Sequence, residues 1–305
     1  MVQTLHNYRL LCAGGTLNRK GAICEKCLGR LMPLAGVGYG CFQGSRARSA
    51  VVAVMTGIHR ALGTWSDAVD LYVVPTEFAR RKFIEGGLPA GKIMVKPHFI
   101  LDDPGPGNGQ GGYALFAGRL AEGKGIPLIL AAWRLLGGQY RLKIAGDGPL
   151  ARPVREAAAS TPGVEWLGEK RRDEVLELMG DATLMLVPNE AYETFGLVAI
   201  EAYAKGTPVL ASNLGATAEL VRPGRTGWLI QPGDATELAQ LVRQAFSSAD
   251  SLRGMRQHAR REFEARFTPK QNYQQLMAIY EMAGGGTRRL PSEATVQLTG
   301  FRSIQ

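Results

Sequence analysis

The sequence predicts an α/β protein of two halves, the first incomplete and the second a doubly wound parallel sheet. Three observations carry this reading. Residues 113–247 alternate short apolar strands with helices, the pattern of a parallel sheet covered on both faces. A polar Pro/Gly-rich run at 102–112 (DDPGPGNGQGG) marks a boundary within the 305 residues. Only about three strands precede that boundary, whereas a nucleotide-binding domain of this class opens with a strand and a Gly-rich turn.

The elements follow in order. Residues 2–5 form the end of a strand, and 12–48 are rich in Cys, Gly and Arg with no clean period. Residues 49–62 are apolar almost all round until His59 and Arg60, which predicts a buried helix. Residues 70–75 form a buried strand, Thr76 caps a helix that ends at Gly86-Gly87, and 92–100 form another strand. The 102–112 run is expected to be a flexible linker. Strands are then expected at 113–118, 141–145, 164–167, 183–187, 208–211 and 227–230. Helices are expected at 125–136, 149–159, 172–179, 195–204, 216–221 and 234–247, then near 250–264 and 268–283. The domains predicted are 1–101 with a Cys-rich insertion at 12–41, the linker, and a nucleotide-binding domain at 113–265. Residues 266–284 are expected to pack back on the first domain, and 285–305 form a polar tail.

Composition excludes several classes. With 45% hydrophobic and 21% charged residues, wholesale disorder is ruled out. The 39 glycines show no three-residue period, so the chain is not collagenous. No apolar run reaches the ~18 residues of a spanning helix, and the N-terminus lacks a signal-peptide layout. The expected location is therefore the cytoplasm or the inner face of the membrane. A net charge of +9 favours anionic partners, including an anionic membrane surface near Arg46, Arg48, Arg80, Arg81 and Lys82. No basic stripe with interleaved aromatics appears, so nucleic acid is not expected as a partner.

Candidate chemistry begins with Glu193 and Glu201 in AYETFGLVAIEA. Glu193 lies after a strand, and Thr194, Phe195, Gly196, Leu197 and Val198 lead into the next helix. Eight residues at ~1.5 Å each would span about 12 Å if helical throughout, comparable to the reach from a hexose to a ribose across a diphosphate. The helix start suits an anion between the two carboxylates. An isolated pair at this spacing is more often a capping Glu and a solvated one; the flanking FGLV and AYAKGTPV weigh against that. Gly118-Arg119-Leu120 and Glu122-Gly123-Lys124-Gly125 follow a strand and offer a guanidinium fork and a mobile ammonium for phosphate. Alone, this segment is equally well a plain turn. Gly146-Asp147-Gly148-Pro149 fits a tight turn and helix start, and Trp166-Leu167-Gly168 ends a strand where a nucleobase could lie. All four turns fall at carboxyl ends of strands of one sheet, where open α/β sheets bind ligands.

These residues resemble a known family. FAGRL…EGKG, KIAGDGP, VEWLG, VPNEAYETFGLVAIEAYAKGTPVLAS and ELVRPGRTGWL match in order and spacing the donor domain of retaining bacterial glycosyltransferases of family 4. TLHNYRLLC…CEKC and VVPTEFARRKFIEGGLP resemble the second half of their acceptor domain. The resemblance implies two Rossmann-like domains of the GT-B fold. It implies that Glu193 contacts the transferred sugar, Glu201 the ribose, and Arg119 and Lys124 the diphosphate, assisted by the amides of Phe195, Gly196 and Leu197. Gly118, Gly146, Leu167, Thr194 and Val198 would line the donor. His6 matches the acceptor-domain His that faces the donor sugar. The family's N-terminal strands and Gly-Gly loop are not found before Met1, and the usual Gly-Gly before ELV reads Leu214-Gly215-Ala216.

The activity so implied is transfer of a sugar from a nucleotide-sugar to a glycan or polyprenyl-linked acceptor, with retention of configuration. The alternative is a truncated, non-catalytic nucleotide-sugar-binding module. A nicotinamide-dependent oxidoreductase is excluded, since no G-x-G-x-x-G follows a strand with an acid ~20 residues on. No Asp-x-Asp lies near the phosphate-binding turns, and fixed cations can replace a divalent ion, so metal-independent catalysis without a cofactor is expected. Cys24-x2-Cys27 has zinc-ligand spacing, and Cys12 and Cys41 would complete a structural four-thiolate site. Four reduced thiols are the alternative.

Overall fold

The computed structural model describes Met1 to Gly284. The chain forms two compact units. One gathers Met1–Arg19, Cys24–His98 and, among the described residues, Pro269 to Gly284; the other gathers Lys20–Ile23 and Phe99–Thr268. The expected tail, 285–305, lies outside the described residues.

In chain order the first unit contains β1 (Val2–Thr4) and β2 (Asn18–Arg19), after which β3 (Ala22–Ile23) falls in the second unit. Then come α1 (Leu34–Gly38), α2 (Arg46–Ala61), α3 (Thr64–Asp67), β4 (Leu71–Val74), α4 (Glu77–Glu85) and β5 (Ile93–Val95). Strands β1, β4 and β5 form a parallel sheet in that order, with Thr4 beside Val73 and Val73 beside Met94. Apolar β4 runs through its middle, and Tyr72, Val73 and Val74 are fully buried. Thr76 caps α4 as expected, its hydroxyl accepting from the Ala79 N–H at 3.1 Å. Strand β5 is shorter than the predicted 92–100.

Helix α2 corrects an expectation. Its near-continuous apolar sequence predicts burial all round, yet only Ser49, Val52, Ala53, Thr56 and Gly57 are buried. Val51, Val54, Met55 and Ile58 remain 70, 47, 45 and 52% exposed. The small residues on the inner face let α2 sit close to its neighbours, and the larger ones point outward.

The second unit holds β6 (Tyr113–Ala117), α5 (Ile126–Leu136), β7 (Arg141–Ala145), α6 (Ala151–Ser160), β8 (Val164–Gly168) and α7 (Arg172–Asp181). It continues with β9 (Leu184–Val187), α8 (Leu197–Ala204), β10 (Val209–Ser212), α9 (Gly215–Leu220), β11 (Gly227–Ile230), α10 (Ala235–Ser247) and α11 (Ala249–Arg266). Helix α12 (Pro269–Ala283) clusters with the first unit, where the Asn272 side-chain amide donates to the Pro97 carbonyl at 2.9 Å. From residue 113 onward, strand and helix positions agree with the sequence reading to within about two residues, ordinary fraying of boundaries.

The six strands are parallel in the order β11-β10-β9-β6-β7-β8. Two apolar layers flank them, as strand alternation requires. Leu184 and Leu186 face a core with Ile129, Trp133 and Val242, while Met185 and Val187 face one with Ala199, Tyr203 and Phe263. The Trp133 indole N–H is satisfied by the Tyr140 carbonyl at 2.9 Å.

The flexible linker is a second correction. Alternate residues of 102–112 bond to the second unit: the N–H of Gly107, Gly109 and Gly111 donate to the carbonyls of Lys205, Gly180 and Asp181, each at 2.9 Å. The Arg256 guanidinium donates to the Gly107 carbonyl at 3.0 Å, and Arg260 pairs with Asp103 at 2.5 Å. Without side chains the glycines approach the α7 end closely enough to hydrogen bond, so this composition serves packing here.

Candidate functional site

The strand order sets the site. From β6 the chain winds through β7 to β8 on one side; from β9, which lies next to β6, it winds through β10 to β11 on the other. The crevice outside the carboxyl ends of β6 and β9 is the topological switch point, where helices on opposite faces leave room for a ligand. The loops emerging there are residues 118–125 and 188–196.

Backbone hydrogen bonds tie the predicted turns together. Gly118 N–H donates to Ala145 O at 3.0 Å, Leu120 N–H to Asp147 O at 2.9 Å, and Gly146 N–H to Gly168 O at 2.7 Å. Glu190 N–H donates to Gly123 O at 2.9 Å, joining the β6 and β9 loops. Gly146 has φ +142°, and a Cβ there would stand 1.9 Å from Gly118 O. Gly125, at φ +73°, would bring a Cβ within 2.0 Å of Pro188 O. Only glycine allows these approaches. The Trp166 indole donates to Gly146 O at 3.0 Å, so it braces this turn, with Arg155 over its ring at 4.9 Å.

The turns surround a cavity of about 740 Å³, within the usual size of a small-molecule site. Of the predicted residues, Gly118, Arg119, Gly146, Leu197, Val198 and Glu201 line it. Asp147, Glu169, Lys170 and Arg172 join them. Glu201 sits in the wall with its carboxylate 3.4 Å from Arg172 Nη2. Burial pushes its pKa above the ordinary carboxylate value, and the Arg172 charge opposes that shift.

Lys124 and Glu193 form an ion pair with each other, both part-buried, outside the residues of the cavity wall. Helix α8 begins at Leu197, behind Gly196 at φ +111°, so the predicted start at 195 is two residues early. Glu193 therefore lies in the loop, and the helical ruler of about 12 Å does not measure its separation from Glu201. Ala199 N–H is taken by Gly196 O at 3.0 Å. Leu197 and Val198 are the first-turn residues in the cavity wall. The Phe195 ring is buried, edge-on to Phe267 at 6.1 Å, so its side chain serves the core. Thr194 and Leu167 are half-buried and outside the wall.

His6 belongs to the first unit, where its ring stacks on His98 at 5.5 Å between centroids and 13° between planes. Burial, then the charges of His6 and Lys96, push the His98 pKa down to about 4. The four cysteines are unpaired by disulfides. Among the described residues, no three His, Cys, Asp or Glu side chains stand positioned to hold a metal ion.

Sequence reasoning missed Arg172, Lys170 and His98. The signal for the first two was present: Lys170-Arg171-Arg172 opens α7, and cations at a helix N-terminus oppose its dipole. Such a placement calls for an anionic partner, and Glu201 supplies one for Arg172.

Comparison with known proteins gives the family and the fold. The sequence family described as "Glycosyl transferases group 1" matches residues 103–262, which lie within the second unit. The phosphatidyl-myo-inositol mannosyltransferase of Mycobacterium leprae is 28% identical over 253 residues, 79% of this chain and 66% of that protein. The D-inositol 3-phosphate glycosyltransferase 1 of Catenulispora acidiphila is 34% identical over 58% of this chain and 46% of its own. The chain thus spans about half to two thirds of such relatives. Among solved structures, Anabaena HepE in complex with UDP and glucose superposes with a TM-score of 0.65 at 21% identity, covering 74% of this chain and 67% of that one. Sucrose-phosphate synthase from Thermosynechococcus elongatus gives 0.64 at 24% identity, covering 83% and 66%. These likenesses show the fold, the α/β class of two Rossmann-like domains named GT-B.

Proposed function

This chain belongs to the glycosyl transferases group 1 family, and we propose on that premise that it transfers a sugar from a nucleotide-sugar to a glycan or lipid-linked acceptor. The observation that carries the reading is the cavity at the β6/β9 switch point, with Arg119 and the first turn of α8 on its wall and half-buried Glu201 among them. In this reading the donor diphosphate lies against Arg119 and the amides of Leu197 and Val198, and Glu201 accepts the ribose hydroxyls. Lys124 and Glu193 neutralise each other; the donor exchanges this one pair for two contacts, phosphate on Lys124 and sugar hydroxyls on Glu193.

The proposed reaction retains configuration, as in family 4. The bond from the anomeric carbon to the diphosphate breaks, and the acceptor oxygen bonds to that carbon on the same face. The acceptor hydroxyl proton passes to the leaving phosphate oxygen. Arg119, Lys124 and the helix dipole stabilise the charge that grows on the diphosphate, which is what makes preorganised cations catalytic. No divalent ion enters the proposed mechanism. The proposal includes a cytoplasmic location with peripheral contact to an anionic membrane surface. Arg46 and Arg48 open α2 beside its exposed apolar face, a combination that suits such a surface.

A thermal-shift screen of UDP-, GDP- and ADP-sugars tests the donor site. The cognate donor should raise the melting temperature by mass action. Lys124→Ala and Glu193→Ala should fold normally yet lose transfer by about 10²–10³-fold, the cost of removing one preorganised group from such a site. Wild-type transfer in either variant would overturn the assignment. Donor binding without transfer to any acceptor would favour the non-catalytic module. Activity should survive brief chelation; specific rescue by magnesium or manganese would refute the metal-free step.

A further inference from the structure

All four cysteines of the chain fall between residues 12 and 41, a stretch with only short strands and one short helix. Backbone turns place each one. Cys12 N–H donates to Tyr8 O at 2.9 Å, and Gly15 N–H returns to Cys12 O at 2.8 Å. Cys24 N–H donates to Leu17 O at 2.8 Å, while Arg30 N–H donates to Cys27 O at 3.3 Å. Cys41 N–H donates to Gly36 O at 2.9 Å. The loop Ala13-Gly14 runs among them. The point where a Gly14 Cβ would sit is 3.8 Å from Cys12 Sγ and 3.6 Å from Cys41 Cβ. The corresponding point at Gly36 is 3.8 Å from Cys27 Sγ and 2.8 Å from Ala13 Cβ. Cys12, Cys27 and Cys41 therefore border one short loop, and Cys24 lies three positions before Cys27.

Two further observations bear on what that neighbourhood holds. Leu17, Lys20 and Gln43 are the three non-glycine residues with positive φ among the described residues, and all lie in or beside this stretch. Such backbone is strained, and it persists here beside strands of two residues and a helix of five. The surroundings are also cationic. Arg19 stacks over Tyr39 at 4.4 Å, and Lys26 donates to the Tyr39 hydroxyl at 2.7 Å. Arg19 and Lys26 thus stand on the Tyr39 ring, two positions from Cys41 in the chain. Four thiolates around one Zn²⁺ carry a net double negative charge, which these cations offset.

We propose that Cys12, Cys24, Cys27 and Cys41 bind a single structural Zn²⁺ as four thiolates. Four Zn–S bonds form at about 2.3 Å, and the four thiol protons leave to solvent, with no change of oxidation state. As placed, the sulfurs are not drawn to ligand distance, so the ion closes the cluster by side-chain rotation on a backbone that already brings the residues together. The site stabilises the loop segment and takes no part in sugar transfer; the proposal stands independently of the donor-site reading.

The test is elemental analysis of the chain purified without chelator from zinc-supplemented medium, with a count of reactive thiols. About one zinc per chain is expected, as a closed tetrahedral site holds one ion, with thiols that react only after chelation. Co²⁺ exchanged into the native chain should give tetrahedral ligand-field and thiolate charge-transfer bands. Cys24→Ser and Cys27→Ser should each reduce bound zinc more than tenfold. The Co²⁺ spectrum of the unaltered chain keeps the test valid if those variants fail to fold. Zinc below a tenth per chain, with four freely reactive thiols or with a mass lowered by disulfide formation, would overturn the proposal.

Discussion

Both units are built on parallel strands, but they are packed differently. In the second, alternate residues of each strand feed two closed apolar layers, with Leu186 in one and Met185 in the other. In the first, three strands carry α4, and α2 leaves Val51, Val54, Met55 and Ile58 outward. The difference shows what each region can be asked to do. Loops that spring from a sheet closed on both faces can be stitched to one another by backbone bonds, as 118, 120, 146 and 190 are. They can then hold a ligand without being ordered by it. The first unit has less core beneath its loops, and a local device, the His6–His98 stack, joins the chain after β1 to the chain after β5.

The sharpest way to break this comparison is to remove a large buried aromatic from each unit, Trp133 from the second and Phe83 from the first. Trp133 is fully buried between α5 and its neighbours. Trp133→Ala should cost about 3–5 kcal/mol in denaturant unfolding, the usual range for deleting a buried aromatic. Phe83, buried on α4, should cost less when cut to Ala, at the lower end of that range of about 3–5 kcal/mol or below it. Equal costs would mean that the first unit is as tightly packed as the second.

The His98 imidazole offers a second contrast. Its folded pKa is pushed down from 6.5 to about 4, so between those values the unfolded chain binds a proton that the folded chain does not. Stability therefore falls as pH drops from 6.5 toward 4 and is fully present above 6.5. At ~1.4 kcal/mol per pKa unit the full loss would be about 3.5 kcal/mol, which solvent screening of this part-exposed ring reduces to about 2–3 kcal/mol. His98→Asn should flatten the acid limb of the stability curve; an unchanged slope would place the proton elsewhere.

A third, smaller effect concerns the stitched loops. Gly146→Ala forces a methyl onto Gly118 O and should cost about 1–3 kcal/mol, as overpacking does. Its signature is a larger loss of nucleotide-sugar affinity than of melting temperature, because the displaced turn lines the cavity. Affinity and stability falling together would assign Gly146 to packing alone.

The two units also differ in how legible they are. The second could be read almost strand by strand, because a strand buried on both faces must be apolar throughout and its helices must alternate with it. Its site was legible as turns at strand ends, and Gly118, Arg119, Gly146, Leu197, Val198 and Glu201 do line one cavity. The mutual pairing of Lys124 with Glu193 was not legible, since both were read only against a ligand. Arg172 was hidden because it acts through tertiary contact with Glu201, 29 positions away along the chain. The 102–112 run misled because the Gly-rich composition that gives flexibility in solution also allows close backbone approach to a partner. In the first unit the burial of α2 was misjudged for a related reason. Hydrophobicity says that a face would gain from being covered, and only packing says whether it is.

That outer face of α2 gives the smallest expected change in stability. Serine matches valine and isoleucine closely in helix propensity, so Val54→Ser with Ile58→Ser alters surface chemistry without weakening the helix. Each exposed substitution should stay within about 0.5 kcal/mol, and the pair should move the melting temperature by no more than a few degrees. If the face meets a membrane, as proposed, each side chain loses about 1.5–3 kcal/mol of apolar burial in the bound state. Co-sedimentation with anionic lipid vesicles should then fall at least tenfold while nucleotide-sugar binding stays at the wild-type level. Arg46→Ala with Arg48→Ala should weaken the same binding and make it less salt-sensitive, since the basic start of α2 contributes through charge. Unaltered vesicle binding in both double variants would remove the membrane from the account of this helix. A melting temperature lowered by ten degrees or more would show that protein covers the face in solution.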